Sequence, residues 1–489
     1  MNNAQSILDK RKRLFVVLLV LLFPSIASAM QFHVSHSDPI APVILGVTGI
    51  LFFALMGRFG ARKLGVPSVL GELMMGIVIG NLGYYLHFDL MMVLREGPGI
   101  FDTVENLLQG ESLELAYANA MGSDGNGIIL DLLKGPHGNE LLQVAHAVDV
   151  FSRYGVIFML FLVGLETSID EMKQVGPESA RVAIIGVVMP FSLGFLSSHM
   201  LIPDINLHTS LFLGATLAAT SVGITAMVLR ELHQENSSTA RIILGAAILD
   251  DILGLLMLAI VSGIVVSGSV DLLHISMIIL MASVFLIGAI IIGPYFIRLI
   301  VKLFYRLDLI EAKMFVSYMF VMVLAWMANL SGLATIIGAF TAGLILHDTY
   351  FDHWDDDQKC PVCIKSLIMP LEVILVPIFF VLMGVQVKLE TFLNQSVIIL
   401  AVGLLASAIL GKLLAGLGAS RGHNRMAIGL GMLPRGEVGL VFAAIGSSLG
   451  VISDALFSAI VLMVIMTTLM APPLLKLCLK RCAEKEVST

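Results

Sequence analysis

Asp250 and Asp251 are adjacent carboxylates in the middle of an otherwise apolar run from residue 242 to 264. That run is long enough to cross a bilayer as a helix. A charge at such depth is costly, and an acid there points to an ion or proton pathway. Burial pushes a carboxyl group towards neutrality, so a proton and a metal cation can compete for the same oxygens at cellular pH. Binding one expels the other. Neighbours on a helix point about 100° apart, so the two acids cannot face one partner equally. One should take the cation directly, while the other pairs with a cationic side chain or exchanges a proton through water.

Other segments supply groups at the same depth. Counted from the basic anchor at the end of each span, Asp251 lies ten residues from Arg241, Ser221 nine from Arg230, Lys412 nine from Arg421 and Arg435 ten from Arg425. At a helical rise of about 1.5 Å per residue, all four sit roughly 13–15 Å from one boundary, about half of a ~30 Å hydrocarbon core. Lys412 is the candidate partner for one of the acids, the alternative being a lysine whose stem reaches the interface. Thr220-Ser221-Val222-Gly223 and Pro434-Arg435-Gly436-Glu437-Val438-Gly439 have the composition of broken helices, with hydroxyls, glycines and a proline that removes a backbone donor. Breaks at membrane depth must face protein or a wet cavity, and their freed carbonyls can bind ions or balance charge. Carboxylate, hydroxyl and carbonyl oxygens suit a hard monovalent cation such as sodium. Arg435 and Glu437 are expected to compensate each other or the dipoles of the breaks. Glu72 is expected at a helix interface or near the basic surface, and Glu166 and Glu372 as solvated charges near helix ends.

The elements that must carry these groups follow from composition. The 489 residues are 57% hydrophobic and only 13% charged, with a mean hydropathy of +0.95, which excludes an ordinary soluble domain and gives an all-α polytopic membrane protein. The net charge of −7 carries no information about partners. Residues 1–29 read as a signal peptide, with Lys10, Arg11, Lys12 and Arg13, a short apolar stretch and Ala27-Ser28-Ala29. About thirteen transmembrane helices are expected, over 39–58, 67–86, 146–166, 182–202, 207–229, 241–264, 272–297, 312–330, 333–347, 366–387, 395–418, 426–447 and 453–475. The first two fall in segment 30–86, the others in 146–477, and residues 478–489 form a short tail.

Basic residues set the orientation. Alternation from a periplasmic N-terminus gives the cytoplasmic loops Arg58, Arg62, Lys63, Lys173, Arg181, Arg230, Arg241, Arg298, Lys302, Arg306, Lys313, Lys359, Lys365, Arg421, Arg425 and the tail from Lys476 to Lys485, while the opposite loops receive few, Arg95, Lys134, Lys388 and at most Arg153 besides. That asymmetry predicts a multi-pass protein of the bacterial inner membrane with a cytoplasmic C-terminus. The loop 87–145, on the periplasmic side, is either an ordered cap with short surface helices or a flexible insertion.

Weak internal similarity adds a further constraint. Gly71–Ile79 resembles Gly338–Leu346, Phe158–Leu165 resembles Ile378–Val385, and Leu217–Gly223 lines up with Leu433–Gly439, in the same order. The paired spans run in opposite directions, which predicts inverted six-helix repeats around a linking seventh span.

Taken with Pro67–Leu73, Phe161–Thr167, Ala219–Thr225, Ile248–Leu255 and Leu433–Leu440, the chain resembles the monovalent cation:proton antiporter-2 family of the cation:proton antiporter superfamily. The resemblance covers nearly the whole membrane part. It implies two crossed discontinuous helices, a homodimer with a dimerisation domain and a mobile core, and an elevator-like movement of that core. Retention of Asp250 where relatives carry asparagine is similar to electrogenic sodium/proton exchangers, and Lys412 falls where such exchangers place a lysine paired with the first acid. By carry-over Asp251 is the principal ion- and proton-binding residue, Asp250 the switching acid and Thr220 a supporting oxygen ligand, with Ser221 beside it. Some relatives carry a nucleotide-binding regulatory domain in the same polypeptide, which this sequence is not expected to contain.

The expected activity is exchange of a monovalent cation, Na+ ahead of K+ or Li+, for protons, with the lipid bilayer as surroundings and without a cofactor or nucleic acid. A potassium efflux channel or transporter on the same scaffold is the alternative. An intramembrane aspartyl protease is remote, because it needs its two acids on different helices. Cys360, Cys363, Cys478 and Cys482 are read as reduced thiols in preference to a structural zinc or redox site.

Overall fold

The computed structural model describes residues 38, 40–121, 127–166, 176–202, 205–220, 225, 229, 234, 237–267, 272–304, 308–354, 362–435 and 437–487. The signal-peptide reading and Ser221 therefore lie outside the described residues. The chain divides into a unit that ends at Leu45, of which only residues 38 and 40–45 are described, and a second unit from Gly46 onward.

Every regular element among the described residues is a helix, with no strand among them. The first predicted spans become α1 (Ala41–Leu64) and α2 (Ser68–Tyr85). The described part of the insertion forms the short helices α3 (Asp89–Arg95), α4 (Pro98–Leu108), α5 (Leu113–Met121) and α6 (Gly127–Lys134). The chain bends by 120° between α2 and α3, and His87 takes a left-handed φ of 55° at the turn. Then come α7 (Gly138–Glu166), α8 (Pro177–Leu201), α9 (Leu207–Ala218), α10 (Ser238–Ser267), α11 (Leu272–Leu303), α12 (Leu309–Leu330), α13 (Thr335–Ile345), α14 (Ile364–Val385), α15 (Gln395–Ala415), α16 (Arg425–Gly431), α17 (Glu437–Ser448) and α18 (Asp454–Val487).

Among the described residues nine helices are long and apolar enough to cross a membrane by themselves. Within the predicted spans 207–229, 333–347 and 426–447 lie shorter apolar helices, and α2, within 67–86, counts as a span only when taken together with α3. α7 begins eight residues earlier than the predicted 146, because Gly138 packs directly on the Leu133 carbonyl and the helix runs on from the insertion.

Local chemistry sets the boundaries. Asn206, Asp308 and Asn424 cap α9, α12 and α16 by accepting the His208, Ile310 and Ala427 backbone N–H groups, relieving donors that a helix start leaves unpaired. Between α12 and α13 the turn needs Gly332, whose φ is +72°.

The helices of the second unit pack as two bundles. In the first, α7 packs on α13 and α14, α14 on α2, and α11 and α12 complete the set around α13. In the second, α8 packs on α9, α10 and α15, and α18 on α15, α16 and α17. Small residues permit the close crossings, as expected where lipid supplies no hydrophobic drive between helices. Gly76 and Gly384 meet where α2 crosses α14: a Cβ on Gly76 would lie 2.2 Å from the Val381 carbonyl oxygen. Gly411 of α15 lies against Pro190 of α8 in the same way. Aromatic and aliphatic side chains fill the first bundle, with Phe158, Phe161, Phe320 and Phe351 buried together. In the second, Val182, Ile243, Ala246, Ile428 and Met432 pack beneath the segment that carries the two acids.

Candidate functional site

Asp250 projects from α10 into the second bundle and is fully buried. Lys412 of α15 is buried equally, and its Nζ donates to Asp250 Oδ1 at 3.0 Å and Oδ2 at 3.2 Å. Two charges removed from water are tolerable only as such a pair. The interfacial alternative for Lys412 is thereby ruled out. Asp251, the next residue, keeps partial exposure while Asp250 has none, and its charge still acts on Lys412. The adjacent acids thus divide as their angular separation requires: one is neutralised in the interior and one is accessible.

The two stretches expected to break their helices lie against each other where they are described. α9 ends at Ala218, with Ala219 and Thr220 non-helical, and α16 is separated from α17 by a non-helical stretch at 433–435. The carbonyls left unpaired at each C-terminal end are met from the other break. Arg435 Nη1 donates to the carbonyl oxygens of Ala219 at 2.8 Å and Thr216 at 3.4 Å. Thr225 Oγ1 donates to the Gly431 oxygen at 2.6 Å, and Thr220 Oγ1 contacts that of Met432 at 3.5 Å. A guanidinium at a helix C-terminus also opposes the negative end of the helix dipole. Of the two partners expected for Arg435, the described contacts are therefore with the break; the Glu437 side chain lies outside the description. Thr468 of α18 donates to the Arg435 carbonyl, fixing the second break against its neighbour.

Two residues that sequence reasoning leaves unassigned contribute here. Gly186 of α8 faces the ion pair: a Cβ there would stand 3.4 Å from Asp250 Oδ1 and 3.8 Å from Lys412 Nζ. Thr225 lies within the same motif as Thr220, and its hydroxyl is the available signal.

The remaining candidates lie elsewhere. Glu72 is buried between α1 and α2 and receives Arg58 Nε at 2.7 Å and Nη2 at 2.6 Å on one oxygen, in keeping with the interface reading. Glu166 pairs with Lys365 at 2.5 Å at the ends of α7 and α14, and Glu372 is partly buried. Cys363 is exposed at the start of α14, whereas Cys478 on α18 lies against Asn424; Cys360 and the Cys482 side chain fall outside the description. Among the described residues no group of three or more His, Cys, Asp or Glu is placed to hold a metal ion.

Between the two bundles is a cavity of about 480 Å³. Its walls include Asp149 and Val156 of α7, Ser262 of α10, Leu382 of α14, Val441 of α17 and Phe101 of the insertion.

The chain matches the family model described as sodium/hydrogen exchanger, transmembrane, over residues 127–481. It is 36% identical over 471 residues to the high-affinity Na+/H+ antiporter NhaS3 of Synechocystis, covering 94% of this chain and 95% of that one. It is 31% identical to the Na+/H+-K+ antiporter GerN of Bacillus cereus, over 87% of this chain and 93% of the relative. Its fold is similar to that of the sodium proton antiporter MjNhaP1 from Methanocaldococcus jannaschii, with a TM-score of 0.58 and 17% identity over 89% of this chain and 96% of that structure's. On the length of these matches, the chain belongs to the sodium/hydrogen exchanger family and is a multi-pass membrane transporter, not an enzyme.

Proposed function

We infer that the protein exchanges sodium for protons across the bacterial inner membrane, with its N-terminus periplasmic and its C-terminus cytoplasmic. The observation that carries this reading is the buried Asp250–Lys412 pair beside an accessible Asp251, at the meeting of two broken helices. Asp251 is the shared site. As a carboxylate it takes a sodium ion, with oxygens of the break near Thr220 and Ser221 completing the shell; protonated, it has no charge to hold one. Mutual exclusion of the two ligands at one side chain is what couples their flows.

Asp250 and Lys412 set the charge balance. When sodium occupies the site, Lys412 can pass a proton to water and Asp250 is released to face the ion; when sodium leaves, the pair re-forms. A cycle that moves Asp250 and Lys412 in this way carries net charge, so exchange is electrogenic. Alternating access arises from displacement of the second bundle along the first, an elevator-like movement within a homodimer whose contacts come from the first bundle. Arg435 and Glu437 keep the half-helix ends balanced while the site changes its occupant.

Potassium is the second candidate cargo, on the ground that GerN is named for sodium and potassium and KhtU of Bacillus subtilis, at 27% identity, for potassium. Purified protein in liposomes holding a pH dye separates these readings. Addition of sodium should dequench the dye at lower concentration than lithium or potassium, and Asp251→Asn should abolish the response. Potassium conduction without proton movement would establish the channel alternative, and sodium-driven proton flux through Asp251→Asn would overturn the site.

A further inference from the structure

One polar contact between the two bundles falls on a side chain outside the spans, beside the helix contacts of α10 with α11 and of α17 with α4. Asn81 of α2 grips the segment that follows α14: its Nδ2 donates to the Val387 carbonyl at 2.8 Å, and its Oδ1 accepts the Leu389 N–H at 3.1 Å. Residue 388 is thereby pinned to the first bundle from both sides. Its own polar groups nevertheless reach the second. The Lys388 N–H donates to Ser458 Oγ of α18 at 3.2 Å, and Lys388 Nζ lies 2.6 Å from Asp454 Oδ2 at the start of that helix. The same ammonium holds Glu96 of the insertion at 2.9 Å, while the neighbouring Arg95 stacks on Tyr84 and bonds Asn81 and Glu390.

These residues follow directly on Gln386, which lines the cavity between the bundles, and α4 from the insertion touches both α7 and α17. We propose that Lys388 is a positioning residue of the exchange cycle: bound to Glu96 on the fixed side and to Asp454 on the moving side, it latches the arrangement that keeps this cavity, and the cavity closes only when Lys388 lets go of Asp454. Lys388 and Glu96 are mostly buried whereas Asp454 is about half exposed, so the Asp454 arm is the one that water can replace at low cost. The insertion acts as the anchor of the latch. A latch of this kind adds no ion ligand; it shifts the population of the two access states, and the apparent affinity on each face shifts with it.

The latch depends on the elevator reading, and two cysteine pairs tell their failures apart. In a background with the four native cysteines changed to serine, Lys388→Cys is combined with Ser458→Cys, two residues brought side by side by the 3.2 Å N···Oγ contact, and a non-reducing gel establishes that the bridge has formed. Oxidation should stop exchange in liposomes and a reductant should restore it. A second pair across the cavity, Leu382→Cys with Val441→Cys bridged by a bis-maleimide, reports bundle movement away from the latch. Full exchange with the 388–458 bridge closed, when the 382–441 bridge blocks it, overturns the latch alone. Full exchange with both bridges closed overturns the latch and the elevator together. In the native background Lys388→Met should weaken apparent sodium affinity several-fold on the insertion face and leave or improve it on the other, with Lys388→Arg restoring the wild-type asymmetry. An equal loss on both faces would mark Lys388 as fold support only and overturn the proposal.

Discussion

Lys412 grips both oxygens of Asp250 in a place that water does not reach, while Asp251, one residue along the same helix, remains accessible. Removing one member of such a pair strands the other. Lys412→Met should therefore destabilise the protein by about 3–5 kcal/mol, whereas Asp250→Asn with Lys412→Met should recover most of that loss. Thermal unfolding in detergent checks the stability, and solid-supported membrane currents check the charge movement. Asp250→Asn should retain part of its cation binding with its current reduced; a wild-type current would remove Asp250 from the charge balance.

That pairing is legible in the sequence because two independent basic anchors put Lys412 and the acids at one depth. The breaks are legible from Thr220, Pro434 and the glycines around them. What these side chains bond is not. Arg435, Thr220 and Thr225 all turn to backbone carbonyls of the opposite break, and a carbonyl has no signature in the sequence. Equally, Glu72 announces a helix interface, but its partner Arg58 depends on how α1 lies against α2. The insertion resists reading because its helices are short and its polar turns suit a loop as well as a cap.

Gly186 illustrates what a missing side chain contributes. A single methyl at this position would meet Asp250 Oδ1 and the Ala415 Cβ at 3.4 Å, an ordinary contact. Gly186→Ala should fold and exchange at a rate within about threefold of the parent. Gly186→Leu must push into the ion pair, and overpacking of this kind costs about 1–3 kcal/mol. Sodium-dependent dye dequenching should fall at least tenfold in the leucine variant; an unaffected rate would show that the pair can move aside.

Arg435 is asked to satisfy the C-terminal end of α9 from within a dry interior. Arg435→Met leaves the Thr216 and Ala219 carbonyls without this donor, at about 3–6 kcal/mol for two bonds to a charged group. Arg435→Lys keeps the charge but loses the fork geometry, so it should be intermediate in thermal stability. Equal stability of all three forms would show that the half-helix end is satisfied by other donors.

The insertion provides a titration that the membrane core does not complicate. Asp102, on α4, is half-buried, and burial followed by the nearby Glu105 carboxylate raises its pKa above the usual aspartate value, with Arg153 opposing the rise. A carboxyl whose folded pKa lies above its unfolded one binds more protons when folded, so this group favours the fold at low pH. That contribution fades as pH climbs from the unfolded aspartate pKa through the raised folded one. Where the pH exceeds both, the Asp102 carboxylate is a net cost that an amide would not incur. Asp102→Asn should therefore raise the unfolding midpoint at pH 7 by a few degrees and have less effect at pH 4, measured by thermal unfolding in detergent across that range. A variant that instead loses stability at pH 7 would mean that the ionised carboxylate, through Arg153, holds α4 in place.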